Sequence, residues 1–375
     1  MSEASTIRST VLAEEHARLG ATFTDFGGWR MPVRYSSDLA EHRAVRTAAG
    51  LFDLSHMGEV RVEGPQAGAA LDHALVGRLS RVAVGRARYS LLCAEDGGIL
   101  DDLITYRLAE DRFLVVPNAA NTATAVAALT ERAAGFDAAV TDESAETALL
   151  AVQGPAAAAI MTSLVPEEQR EAVTALRYYA AAPATVGGSA ALVARTGYTG
   201  EDGFEVFVPT AAAPALWAAL LAAGEGHGLV PAGLAARDSL RLEAGMPLYG
   251  HELTRATTPY GAGLGGVVAL DKEDFVGRAA LEAARAAHEA GEGRRLVGLR
   301  GAGRRAARAQ QPVVVGEDVV GEVTSGAPSP TLGYPVALAY VDAAHAGVGS
   351  AVDVDVRGTR QPFEVVELPF YRRPR

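Results

Sequence analysis

Cysteine is almost absent from this chain. Cys93 stands alone among 375 residues, so neither an internal disulfide nor a cysteine-based zinc site can form. That usage suits a reducing compartment, and a cytoplasmic location is expected. Lysine is equally scarce. Lys272 is the single lysine, and the other positive charges are arginines. Schiff-base chemistry would rest on Lys272 alone. Its setting, Asp271-Lys272-Glu273-Asp274, predicts an exposed ammonium of ordinary basicity, which argues against pyridoxal phosphate. No run of about 18 apolar residues lacks a charge or a breaker, so no membrane span is expected. Met1 to Leu19 is polar and has no apolar core of signal-peptide type. The eight histidines show no metal-ligand spacing, and no metal is expected. A phosphate-loop lysine motif is missing. Gly261-x-Gly263-x-x-Gly266 matches the dinucleotide fingerprint only as a string, because no strand clearly precedes it and Val267 to Leu270 reads as a strand, not a helix. Gly301-Ala302-Gly303 is a similar decoy. No nucleotide cofactor is expected. A net charge of −11 repels phosphate backbones and argues against nucleic acid as a partner. One basic patch, Arg294-Arg295 through Arg304-Arg305 and Arg308, reads as a loop face or a grip on an anionic tail.

What is present describes a globular chain of 49% hydrophobic and 21% charged residues, long enough for two or three domains. Helices are predicted over 6–20, 36–49 (capped by Ser36 or Ser37), 65–77, 121–134, 212–224 and 232–244. Residues 21–34 read as a loop bearing glycines and aromatics. Strands are predicted near 50–58, 89–93, 103–108, 112–116 and 149–153, with a hairpin over 192–208. After residue 285 short valine-rich strands recur near 296–300, 312–315, 319–324, 336–341, 352–356 and 363–367. That is the pattern of a small all-β domain, and it divides the chain into 1–285 and 286–375.

Candidate chemistry centres on Gly97-Gly98-Ile99-Leu100-Asp101-Asp102-Leu103. Neighbours on a strand point to opposite faces, so the two aspartates must differ in role. Either one lines a cleft as an acid, base or orienting group, or both are solvated at a hairpin. Glu205 shares a strand face with Phe207, opposite Phe204, Val206 and Val208. A carboxylate there could accept paired hydrogen bonds from a flat heterocycle or stand exposed on the strand. Arg237 and Arg241, four apart on a helix, could bind a carboxylate tail or pair with Asp238 or Glu243. His56 reads as a satisfied structural residue and Met57 as core or pocket wall.

Several strings occur in a fixed order: Phe52-Asp53-Leu54-Ser55-His56-Met57-Gly58, Gly97 to Ile104, Arg195-Thr196-Gly197-Tyr198-Thr199-Gly200-Glu201-Asp202-Gly203-Phe204-Glu205, Ala232 to Gly245, Leu248-Tyr249-Gly250-His251-Glu252, and Val323-Thr324-Ser325-Gly326 with Ser329 to Gly333. Together they resemble the aminomethyltransferase (T protein) family of the glycine cleavage system, from about residue 8 to 370. The resemblance implies an α+β, three-domain folate-binding aminomethyltransferase fold with a small C-terminal β-barrel-like domain. It also implies a reaction. The dihydrolipoyl arm of a carrier (H) protein presents an aminomethyl group, and tetrahydrofolate takes the one-carbon unit. 5,10-Methylenetetrahydrofolate forms and ammonia leaves. The glycine decarboxylase and dihydrolipoamide dehydrogenase components would be functional partners. Carried over by position, Asp102 is the essential aspartate near folate N10 and Glu205 the pterin-binding glutamate. Asn118, Tyr198, Met57, Tyr89 and Val116 line the folate pocket, and Arg237 meets the glutamyl end. Gly261 stands where relatives commonly carry glutamate. The competing readings are a folate-binding demethylase module and a non-catalytic folate sensor. The chain has no room for the added flavin domain of demethylating relatives. It also lacks the Lys-Gly-Cys segment of the paralogue that assists iron–sulfur proteins.

Overall fold

The computed structural model describes residues 7–374; residue 6, at the start of the predicted first helix, lies outside them. The chain forms two compact units that interleave along the sequence. The first holds residues up to 70, 79–88 and 104–238; the second holds 71–78, 89–103 and 239 onward.

The first unit is built on a six-stranded mixed sheet containing Ala49–Asp53, Thr147–Gln153, Ala181–Val186, Ser189–Ala194, Gly203–Pro209 and Leu229–Pro231. Alternation decides its faces. Phe204, Val206 and Val208 join Leu51, Leu150 and Val152 in one core, packed against Ile160, Met161, Leu216, Trp217 and Leu220 of two helices. Those helices, Ala157–Leu164 and Ala213–Gly224, present their apolar sides to the sheet. Glu205 and Phe207 are left on the opposite face, as the sequence pattern requires.

The N-terminal segment departs from expectation. Only Ala13–Arg18 is helical, preceded by the short strand Arg8–Ser9. Residues 21–34 form an antiparallel hairpin, Thr22–Phe26 with Trp29–Arg34, instead of a loop. Gly27 and Gly28 turn it with positive φ, a conformation that glycine adopts at little cost. The hairpin reads as a loop because Pro32 lies within its second strand. His16 anchors the helix from inside. Its ring pairs with Asp53 at 2.8 Å and with the Tyr35 hydroxyl at 2.9 Å. Thr10 adds a hydrogen bond to Asp53 at 2.6 Å. Burial alone would raise the Asp53 acid, but the bonds and charge of His16, with Thr10 and Ser55, outweigh it and lower it. The helix Asp38–Thr47 starts where Ser37 accepts from the Ala40 amide.

The second unit contains the hairpin turn at Gly97-Gly98, the helix Arg278–Glu289 and a closed barrel of six strands between Arg294 and Val366. Valines 297, 313, 323, 341, 354 and 365 fill the barrel interior with Leu299 and Phe363. A bulge between Val323 and Ser325 interrupts the strand Asp318–Pro328, a device that re-aims a side chain. No strand follows Gly266, where a short 3-10 turn, Gly265–Val267, stands instead.

Lys272 overturns its expected exposure. It is 7% exposed, and its ammonium donates to the carbonyls of Asp72 (2.6 Å), Leu75 and Gly77 (2.9 Å) over the Phe275 ring. Local sequence charge misled here, because the partners lie about 200 residues away along the chain. The Asp72 carbonyl lies in the last turn of the helix Ala67–Ala74 and the other two in the residues just after it, where orphan acceptors need donors. Burial pulls the ammonium down to about 8. Lys272→Met strands three carbonyl acceptors, two of them buried. It is expected to cost about 1–3 kcal/mol in urea unfolding; an unchanged midpoint would refute this role.

Candidate active site

Asp102 lies on the strand Ile99–Ala109, which the two units share. The strand separates its aspartates as alternation requires. Ile99, Asp101, Leu103 and Thr105 are buried, whereas Leu100, Asp102 and Ile104 are half-buried on the other face. Asp101 is fully buried. In the second unit the Tyr89 hydroxyl donates to Asp102 Oδ2 at 3.1 Å. The tyrosine therefore fixes one carboxylate oxygen. The neighbouring turn is tight: a Cβ on Gly98 would stand 2.2 Å from the Arg255 carbonyl oxygen, so only glycine fits.

In the first unit Glu205 is 9% exposed, which removes the exposed-strand reading. The Thr196 hydroxyl donates to its Oε2, and the Tyr106 hydroxyl shares its proton between the Thr196 oxygen at 2.9 Å and Oε2 at 3.4 Å. No hydrogen bond reaches Oε1 among the described residues. Burial raises the Glu205 acid against the opposing pull of Thr196, Arg237 and Tyr106. Arg237 stacks over the Tyr198 ring at 4.7 Å, a cation–π contact. The structure thus brings Glu205, Tyr106, Thr196, Arg237 and Tyr198 into one electrostatic neighbourhood.

The loop between Arg195 and Gly203 is held from beneath. Gln153 donates to the Thr196 carbonyl at 3.1 Å and accepts from Thr199 at 2.9 Å. A Cβ on Gly197 or Gly203 would collide with Gln153, at 2.0 and 2.4 Å. Arg195 grips Asp202 with two bonds, 2.9 and 2.6 Å, and Arg46 reaches the Thr199 carbonyl and Glu201. Much of that glycine-rich string is therefore scaffolding for Thr196, Tyr198 and Glu205.

The remaining predicted positions also lie in the first unit. Val116 pairs with Ile104 on adjacent strands. Met57 and Asn118 are half-buried, and the Gly58 amide donates to the Pro117 carbonyl at 3.1 Å, which ties their segments together. His56 is buried, but its Nδ1 has no hydrogen-bond partner, so it is not the satisfied residue expected. Burial, with the Arg237 charge adding to it, pulls the imidazole down to about 4. Arg241 is buried and pairs with Glu252 at 2.8 Å. Tyr106 and Thr196 were missed. Tyr106 falls on the Asp102 face, four residues on, and that alternation could have found it.

Among the described residues no cluster of three or more His, Cys, Asp or Glu could hold a metal, and no helix is long and apolar enough to cross a membrane. A cleft of about 670 Å³ in the second unit is lined by residues that include His251, Thr258, His288, Arg295 and Tyr340, and contains none of the predicted positions.

Residues 12–272 match the family model described as the GCVT N-terminal domain, and 294–372 match the glycine cleavage T-protein C-terminal barrel domain. The chain belongs to the glycine cleavage T-protein family. Its relatives include the aminomethyltransferases of Streptomyces avermitilis and Streptomyces coelicolor, 61% and 59% identical, with 98% of each chain covered. The crystal structure of the glycine cleavage system aminomethyltransferase T from Bartonella henselae superposes with a TM-score of 0.90 at 39% identity, covering 98% of this chain and 99% of that one. The α+β fold with its closed C-terminal barrel is that of the T-protein family, and its chemistry is aminomethyl transfer.

Proposed function

We propose that the chain transfers the aminomethyl group of a lipoylated carrier (H) protein to tetrahydrofolate. The carbon–sulfur bond to the lipoyl arm and the carbon–nitrogen bond to the amine break. Bonds from N5 and N10 of the folate to that carbon form. The two protons lost from N5 and N10 end on the dihydrolipoyl sulfur and on the amine, which leaves as ammonia. The carbon's oxidation level does not change. The observation that carries this reading is the Asp102 carboxylate, presented on the less buried strand face and held by Tyr89. Its role is to orient N10 and take up proton charge as the nitrogens attack. Glu205 accepts from the paired N–H donors of the pterin edge, using the oxygen that its two hydroxyl partners leave uncommitted. Tyr198 and Arg237 serve the benzoyl-glutamyl part, the arginine meeting its carboxylates. Met57, Tyr89, Val116 and Asn118 complete the folate contacts.

Glu205→Gln tests the pterin assignment. The amide keeps the size but replaces one acceptor with a donor. Hydrogen bonds to a charged group are worth about 1.5–3 kcal/mol, so tetrahydrofolate should bind roughly 10–100-fold more weakly. An unchanged dissociation constant would remove Glu205 from the site.

A further inference from the structure

The two oxygens of Glu205 differ. Oε2 accepts from the Thr196 hydroxyl, and the Tyr106 hydroxyl lies 3.4 Å from the same oxygen. Oε1 has no hydrogen-bond partner among the described residues, yet it is not one of the unpartnered oxygens sealed from solvent. An accessible acceptor therefore remains on a residue that is otherwise buried. The two hydroxyls donate in one direction. Each has a single proton. Thr196 gives its proton to Glu205, so its own oxygen is left to accept from Tyr106 at 2.9 Å. Both residues are buried, and bulk water does not compete for these bonds. The Thr196 backbone is fixed too. Gln153 donates to its carbonyl at 3.1 Å and leaves no room for a side chain at Gly197. The hydroxyl is thus aimed by the chain itself, before any ligand arrives.

We propose that Thr196, backed by Tyr106, is a positioning residue for folate binding: it fastens Oε2 of Glu205 and so leaves Oε1 for the pterin edge. This rests on the folate reading above and adds the device that prepares the glutamate. The device also bears on charge. Paired N–H donors need the carboxylate, whereas burial favours the acid. Thr196, Arg237 and Tyr106 oppose burial, and of these Arg237 and Tyr106 are titratable. The arginine keeps its charge at any working pH. Tyr106 keeps its proton, because burial and the Glu205 charge, with Tyr179 adding to them, hold its ionisation well above the ordinary value. Neither neighbour therefore changes state while Glu205 titrates, and the Thr196 bond is the part that a single substitution removes cleanly.

The test follows tetrahydrofolate binding to the full chain against pH, for the parent, Thr196→Val, Thr196→Ser, Tyr106→Phe and Glu205→Gln. The free ligand titrates identically in every case, so differences between variants belong to the protein. The carboxylate is the binding form, so parent affinity is full above the Glu205 pKa and falls as pH drops through it; E205Q lacks that fall. T196V loses a bond that favours the charged form. Its fall should begin about one pH unit higher, a roughly tenfold loss of affinity within that window and little loss above it. Y106F should move the fall the same way by less, since its hydroxyl acts chiefly through Thr196. T196S restores the donor and should return the parent profile. A loss by one constant factor at every pH in T196V, or no loss, overturns the proposal while leaving tetrahydrofolate binding in place. So does a profile whose shape E205Q leaves unchanged. If the parent binds no tetrahydrofolate, the folate reading fails and this proposal with it. If T196V does not fold, the Y106F profile decides by the same comparison. Failure of both to fold would make the hydroxyls structural supports and overturns the proposal as well.

Discussion

Asp102→Asn is expected to lower the rate of aminomethyl transfer by about 10²- to 10⁴-fold, the usual worth of a positioned acid–base group. The amide keeps the shape and can still accept from Tyr89, whose hydroxyl lies 3.1 Å from the carboxylate. Asp102 is half-buried, so the fold should be indifferent to the change. The loss should therefore appear in kcat, with the melting temperature and tetrahydrofolate affinity near parent values. Asp101→Asn is the matching control. Its side chain is fully buried on the other face, so its effect should be on stability. Equal kinetic losses from the two variants would mean that strand alternation had not divided their roles.

The largest effect on stability is expected at Arg241. Its guanidinium and the Glu252 carboxylate are 1% and 0% exposed at 2.8 Å. The same arginine donates to Ser325 Oγ at 2.8 Å, beside the barrel-strand bulge, and to the Met246 carbonyl. Arg241→Met leaves Glu252 buried without its counter-charge. Breaking a buried pair from one side costs about 3–5 kcal/mol, whereas replacing both partners with apolar groups can be nearly neutral. Arg241→Met with Glu252→Leu should accordingly recover much of the loss in denaturant unfolding. A double variant no better than the single one would show that the pair's charges are not what matters. One helical turn away from Arg237, Arg241 is thus a structural residue, and Glu243 is another: its carboxylate accepts from the Thr331 amide at 3.0 Å and from the Ser329 and Thr331 hydroxyls.

These networks show where the sequence was legible. Period-2 alternation correctly sorted Phe204, Val206 and Val208 from Glu205, and separated Asp101 from Asp102, because side-chain direction on a strand is local geometry. The barrel strands were readable for the same reason. Partnerships were not. Nothing within a few residues of Arg241 names Glu252 and Ser325, and nothing near Lys272 names the carbonyls of a distant helix end. Such pairings are set by tertiary folding, which overrides local charge patterns. The hairpin at 22–34 was hidden by its own glycines and Pro32. Several motif strings that resemble the family carry scaffold as well as chemistry: Gln153 beneath Gly197 and Gly203, and the bonds around Glu243, account for residues that no ligand needs to touch.

The most direct measurement mixes the parent chain with aminomethyl-loaded carrier protein and tetrahydrofolate, and follows ammonia and 5,10-methylenetetrahydrofolate together. The account predicts that both appear in equal amounts, that fast release of ammonia requires the folate, and that Asp102→Asn suppresses both. Ammonia released at the same rate without tetrahydrofolate, or full turnover by the Asp102→Asn variant, would contradict it.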